Sequence, residues 1–260
     1  MGGEVCRAVS GEDDMLLAAV VDPAFGTNPY DGPGGPNVEA KQSVDQLGDG
    51  QVDIVVDFTK AEAAVQNVAW ALEHDVAAVV GTSGITSRAL EDIERACSEK
   101  GGHVLIAPNF AIGAVLAMKF AEIAAAWLPQ AEIIELHHAG KLDSPSGTAL
   151  QTVDRILKGR QERSAETGTN APGGTPGGGV PTETLPGARG AEKAGVHVHS
   201  VRLPGLVAHQ EVIFGGPGQT LSVRHDSLDR TSFMPGVLMA IRQVRNRPGL
   251  TLGLEGLLGL

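Results

Sequence analysis

Short apolar runs alternate with amphipathic stretches through the first half of the chain, a pattern that predicts βαβ units on a parallel sheet. Residues 16–21 form an apolar run ending at Asp22, and residues 52–59 read as a buried strand rich in β-branched side chains. Residues 61–73 have helical spacing, with Val65, Val68, Ala69 and Leu72 on one face. The next strand, 77–80, is broken by Gly81-Thr82-Ser83-Gly84. Residues 86–100 predict a helix with Leu90, Ile93 and Ala96 inward, stopped by Gly101-Gly102. A further strand over 104–107 runs into Pro108-Asn109-Phe110. This half is a Rossmann-like sheet.

After a helix over 112–128 the pattern changes. A strand is predicted at 131–137 and a helix at 147–158. Residues 168–190 are rich in Gly, Pro and Thr with almost no apolar content, and read as a long, mobile loop. Strand-like runs at 196–203, 211–214 and 220–224 then suggest an antiparallel or mixed sheet, and 232–244 is a helix that returns to the first domain. The expected fold class is α/β: a Rossmann-like parallel sheet plus a second α+β domain with a mixed sheet.

Composition narrows the functions open to such a fold. With 42% hydrophobic and 20% charged residues in 260, the chain can bury an ordinary globular core. A formal charge of −11 argues against a nucleic-acid partner and offers no polybasic patch to a membrane. No run approaches the ~18 apolar residues of a spanning helix, and the first residues do not read as a signal peptide. Cys6 and Cys97 lie in separate helical patterns without CxxC spacing, and read as reduced, buried thiols of a cytoplasmic protein.

Titratable groups concentrate in Glu135-Leu136-His137-His138-Ala139-Gly140-Lys141-Leu142-Asp143-Ser144-Pro145-Ser146-Gly147-Thr148-Ala149, at a predicted strand end. Pro145 and Gly147 force a turn, and Ser146-Gly147-Thr148 opens the next helix. A helix start presents free N–H groups and partial positive charge, so it suits a carboxylate or phosphate. A lysine and histidines beside it suit a small anionic substrate that must also receive a proton. Taken singly, each is as readily a solvated or satisfied surface residue. Adjacent histidines point to opposite faces of a strand and no third ligand stands at useful spacing, so no metal is expected.

The string His137-His138-x-x-Lys141-x-Asp143-x-Pro145-Ser146-Gly147-Thr148-Ala149 resembles the signature of dihydrodipicolinate reductases. Val55-Val56-Asp57-Phe58-Thr59, Val80-Gly81-Thr82-Ser83-Gly84, Ala107-Pro108-Asn109-Phe110-Ala111-Ile112-Gly113, Leu185-Pro186-Gly187-Ala188-Arg189-Gly190 and the segment from Arg224-His225-Asp226-Ser227 to Arg230 are similar to family segments in the same order. The resemblance implies NADH- or NADPH-dependent reduction of a cyclic dicarboxylate imine in lysine and diaminopimelate biosynthesis. It implies His137 as acid/base and Lys141 as proton donor, with His138, Ser146, Gly147 and Thr148 on the substrate carboxylates. Ser146 equally suits a helix cap. Cofactor contacts are implied for Met1, Phe58, Gly81, Thr82, Ser83, Ala107, Pro108, Asn109 and Phe110. Asp22 matches the acidic residue on the adenosine ribose; since no Arg or Lys follows it before Lys41, the expectation leans toward NADH. Asp143 is a candidate to orient Lys141, while Arg189 and Arg202 are candidates either for carboxylates or for structural ion pairs. The implied organisation is a dinucleotide-binding domain over 1–110 and 229–260, with a substrate-binding and oligomerisation domain over 111–228, in a homotetramer.

Two departures stand out. Gly140 occupies a position where many relatives carry a polar side chain. A Rossmann fold also opens with a strand and a glycine-rich turn, and Met1-Gly2-Gly3-Glu4-Val5 reads as the tail of that turn and the start of its helix. The expectation is that about ten residues, the first strand and most of the phosphate loop, are absent. A start placed inside the motif explains this; the alternative is a degenerate, non-catalytic ligand-binding or scaffold homologue. A related reductase of another small carboxylated imine also stays open.

Overall fold

The chain, seen in a computed structural model that describes residues 1–25, 30–35, 38–168 and 183–260, divides into two compact units. Unit 1 comprises Met1–Ile112 and Arg230–Leu260, and unit 2 comprises Gly113–Asp229. Unit 1 runs α1 (Gly2–Ser10), β1 (Ala19–Val21), β2 (Glu39–Lys41), β3 (Ile54–Asp57), α2 (Ala61–Glu73), β4 (Ala77–Val80), α3 (Ser87–Lys100) and β5 (His103–Ile106). Then come α4 (Ile112–Ala125), β6 (Gln130–His137), α5 (Gly147–Thr167), β7 (Ala191–Lys193), β8 (Val196–Arg202), β9 (Ala208–Gly216) and β10 (Gln219–Ser227). The chain closes in unit 1 with α6 (Met234–Val244), β11 (Gly249–Leu252) and α7 (Glu255–Leu258).

The parallel strands of unit 1 form two sheets. One has the order β11-β5-β4-β3; the other is the pair β1-β2, and among the described residues no strand joins β1 to β3. The consequence is visible in burial. All four residues of β4, flanked by β3 and β5, are buried, whereas Ile54, Val55 and Val56 of the edge strand β3 are only partly so. The strand expected at 52–59 is therefore shorter and less covered than its composition suggests. On α2 the inward stripe is Ala64, Val68, Ala71 and Leu72, the i, i+4, i+7, i+8 positions. Ala69, expected inward, is exposed because it lies on the far side of that stripe. Thr86 caps α3 by accepting from the Ala89 amide at 3.3 Å, and Gly101 ends it at φ +68°. Cys6 in α1 and Cys97 in α3 are buried and unbridged.

Unit 2 is a mixed sheet of order β10-β9-β6-β8-β7, in which β6 and β8 are parallel and the other pairs antiparallel. Strict alternation along β6 turns Ala131, Ile133 and Glu135 to the side where Ala121, Ala125, Ala149, Val153 and Ile156 of α4 and α5 complete a core. The opposite face carries Ile134, Leu136, Val201 and Ile213, all half-buried. Glu122, 3% exposed on α4, ties the helices by accepting from Lys119, Arg155 and Lys158. Helix α4 is shorter than expected, and α5 continues well past residue 158, where polar residues hide the periodicity; there Arg163 stacks on Trp127. Of the loop expected over 168–190, residues 169–182 lie outside the described residues, and in 183–190 the Glu183 carboxylate accepts from the Gly187 and Arg189 amides. Among the described residues no helix is long and apolar enough to cross a membrane.

Candidate functional site

In unit 2 the site is built where β6 ends and α5 begins. Glu135 and His137 are two residues apart on β6, so both project to the helix side of the sheet. Glu135 is fully buried, and its Oε2 accepts from His137 Nδ1 at 2.5 Å. Arg202, register partner of His137 on β8, donates through its two terminal nitrogens to both carboxylate oxygens, at 2.9 and 2.7 Å. Ser146 N adds a bond of 3.3 Å to Oε1. Burial alone would raise the Glu135 carboxyl; hydrogen bonds from Arg202, Ser200 and His137 outweigh it and hold the pKa below the ordinary carboxylate value. For His137 burial wins. Its pKa is lowered, with Lys141 and Arg202 pushing the same way against the pull of Glu135.

The loop that follows carries the second titratable group. Lys141 Nζ lies 2.7 Å from Asp143 Oδ1, and this contact lowers the Asp143 pKa. His138 is exposed, and its carbonyl accepts from Lys141 N at 3.1 Å. The Ser144–Pro145 peptide is cis. Ser146 is the N-cap of α5: buried, it accepts from Ala149 N at 3.2 Å, so its hydroxyl oxygen serves the helix. Gly147 has no heavy atom within 4 Å of where a Cβ would stand, and its backbone amide donates to the Asp143 carboxylate. A helix start favours an anion, and here the Asp143 carboxylate meets it beside the Lys141 ammonium. Arg202 and Arg189 both meet carboxylates of the chain itself. Arg202 spends its terminal nitrogens on Glu135, Val201 O and Asp143 O, and Arg189 pairs with Glu132.

The residues expected to contact a cofactor lie in unit 1. Phe58, Gly81–Ser83 and Ala107–Phe110 follow β3, β4 and β5, at the carboxyl edge where open parallel sheets take ligands. Their side chains divide by burial. Ala107 and Phe110 are fully buried, and Ala107 N extends the ladder to Val80 O, so these two can offer only backbone. Ser83 and Pro108 are exposed, while Asn109 Oδ1 accepts from Ala111 N at 2.9 Å. Thr82 is buried with its hydroxyl on Asp57. Gly81 is dictated by packing: a Cβ there would stand 2.1 Å from the Phe58 ring. Met1 is the N-cap of α1, with open space around Gly2 and Gly3. Asp22 is exposed just beyond β1, with Oδ1 on Ala24 N. Lys41, distant in sequence, lies on the neighbouring strand; its carbonyl accepts from Asp22 N, and its ammonium pairs with Glu39.

Three residues of these networks were not among the sequence candidates. Glu135 was legible as an acidic residue two positions before His137, the spacing that shares a strand face. Asp57 stood at a strand end in the same way. Gln210, beside Glu135 across β6 and β9, donates to Thr152 and leaves its buried Oε1 without a partner among the described residues; only the tertiary register reveals it.

The chain matches the family described as dihydrodipicolinate reductase, N-terminus, over residues 1–110, and its C-terminus counterpart over residues 113–258. It is 47% identical to the 4-hydroxy-tetrahydrodipicolinate reductase of Cutibacterium acnes over 264 residues, spanning 100% of this chain and 95% of the relative. Identity to the enzyme of the same name from Streptococcus uberis is also 47%, over 99% of this chain and 95% of that one. A solved dihydrodipicolinate reductase from Paenisporosarcina sp. TG-14, with dipicolinate bound, superposes with a TM-score of 0.83 at 38% identity, covering 97% of this chain and 93% of the other.

Proposed function

The chain belongs to the dihydrodipicolinate reductase family, oxidoreductases of lysine and diaminopimelate biosynthesis that use a nicotinamide cofactor, and we propose that it reduces 4-hydroxy-tetrahydrodipicolinate to tetrahydrodipicolinate. The observation that carries this reading is the juxtaposition at one strand end in unit 2 of an imidazole on a buried carboxylate, a lysine ammonium on the loop that follows, and the start of α5.

Unit 1 fits the cofactor. The open first turn of α1 at Gly2 and Gly3 suits a pyrophosphate, Asp22 a ribose hydroxyl, and the backbone at 81–83 and 107–110 a nicotinamide. When bound, the reduced nicotinamide supplies a hydride. The chain's own groups do the rest. The helix start at Gly147 and Thr148, with His138, binds the substrate carboxylates. His137, neutral at physiological pH because burial lowers its pKa, acts as acid/base as the hydroxyl leaves as water. Lys141 donates the proton that, with the hydride, completes the two-electron reduction, and Asp143 orients its ammonium. The preferred cofactor is NADH. Asp22 is exposed to meet a free 2′-hydroxyl, while the nearest strand's Lys41 is engaged by Glu39 rather than free to meet a 2′-phosphate. The assembly is a cytoplasmic homotetramer, in which the half-buried apolar residues Ile134, Leu136, Val201 and Ile213 on the open face of the unit 2 sheet supply the contact.

The test is oxidation of NADH and NADPH followed at steady state, with the unstable substrate generated in place by dihydrodipicolinate synthase. Substrate-dependent oxidation is expected. A protein that binds cofactor yet leaves it reduced overturns the reading.

A further inference from the structure

Glu135 is an expensive residue to keep. A carboxylate with no exposed surface is tolerated only when its charge and lone pairs are met. Here they are met asymmetrically. Oε1 faces Arg202 and the Ser146 amide, while Oε2 faces Arg202 and the imidazole of His137. An ionised carboxylate only accepts, so the ring nitrogen facing it must carry a proton. His137 is then protonated at Nδ1 and presents an unshared pair at Nε2. The ring is 13% exposed, so its position is set by the groups around it more than by solvent. Arg202 completes the arrangement by holding the Asp143 carbonyl at 2.7 Å, in the loop that carries Lys141.

We propose that Glu135, braced by Arg202, is the positioning residue for His137: it fixes the Nδ1–H tautomer, directs Nε2 to the substrate, and balances the imidazolium formed when His137 takes a proton. This rests on the reductase reading for the role of His137, although the tautomer itself does not. A carboxylate behind an imidazole orients the ring and raises its basicity, and loss of such a partner costs roughly 10- to 100-fold where it has been measured in metal sites.

The first measurement uses the full chain with ¹⁵N-histidine, and long-range ¹H–¹⁵N correlations assigned by the signal lost in His137→Gln. The expected spectrum at neutral pH has His137 protonated at Nδ1 and bare at Nε2. The opposite tautomer overturns the proposal. The second measurement is kinetic. Glu135→Gln is expected to lower kcat roughly 10- to 100-fold with little change in substrate KM, and to move the histidine limb of the kcat–pH profile to lower pH. Glu135→Asp should recover part of the rate. In a His137→Gln background, Glu135→Gln should cost almost nothing further. An equal cost in both backgrounds would show that Glu135 only braces the loop, and would overturn the proposal. Should Glu135→Gln fail to fold because Arg202 is left unpaired, Glu135→Gln with Arg202→Met removes the orphaned charge and is read in the same way. If the wild-type chain oxidises no cofactor, the reductase reading fails, and the tautomer is still decided by the spectrum.

Discussion

The hydroxyl of Thr82 donates to Oδ1 of Asp57 across 3.0 Å, joining the loop after β4 to the end of β3. Asp57 also accepts from the Thr59 amide and hydroxyl and from Asn67 of α2, so one buried carboxylate organises two of the loops proposed to meet the cofactor. Asp57→Ala leaves these donors without an acceptor, and is expected to cost about 1–3 kcal/mol of stability. Urea unfolding reads the stability loss. A rise in the cofactor KM larger than that in the substrate KM locates the effect in unit 1.

Gly81→Ala places a methyl 2.1 Å from the Phe58 ring, which sits 5.6 Å centroid to centroid from the fully buried Phe110. The partly buried ring must shift to admit the methyl. The expected cost is about 1–3 kcal/mol, with a weakened cofactor KM. Thermal melts of Gly81→Ala against Gly81→Ala with Phe58→Ala check the cause: the double variant should lose less than the sum of the two singles.

Asp22→Asn removes the charge that repels a 2′-phosphate while keeping an acceptor for the Ala24 amide. The ratio of NADPH to NADH efficiency should rise, by at least several-fold. Competing Michaelis constants measure it, and a wild-type chain that already prefers NADPH contradicts the assignment of Asp22.

Lys141→Ala is expected to reduce kcat by roughly 10²- to 10⁴-fold, as for loss of a general acid. Asp143→Asn, which weakens the 2.7 Å contact to the ammonium without removing the donor, should cost far less. Stopped turnover of NADH under the coupled assay separates the two.

Acid stability follows from Glu122. Burial would raise its carboxyl, but hydrogen bonds from Lys119, Lys158 and Arg155 prevail and lower its pKa from the ordinary 4.5 to about 2. A group whose pKa is depressed on folding stabilises fully above its unfolded value, and that stabilisation is lost as pH falls through the interval toward the folded one. Denaturant midpoints should therefore fall between about pH 4.5 and 2. Arg155→Met with Lys158→Met should flatten that decline and lower stability at neutral pH.

Much of the architecture was already present in the order of residues. The helix Ala61–Glu73 and the strand Ala77–Val80 fall where periodicity puts them, because each is decided by local spacing and by the breakers that bound it. The segment from His137 to Thr148 was equally legible, since a titratable cluster, a proline turn and a helix cap are all short-range features. What tertiary structure decided is of longer range. Arg202 lies 67 positions from Glu135, and only the parallel register of β6 and β8 brings the two together. Lys41 looked remote from Asp22 until strand pairing set them side by side. Partial burial of β3 depends on which strand lies next to it, not on its own valines. A sequence encodes the period of each element; which elements are neighbours, and so which buried charge meets which partner, is settled only when the sheet closes its hydrogen bonds and the core excludes water.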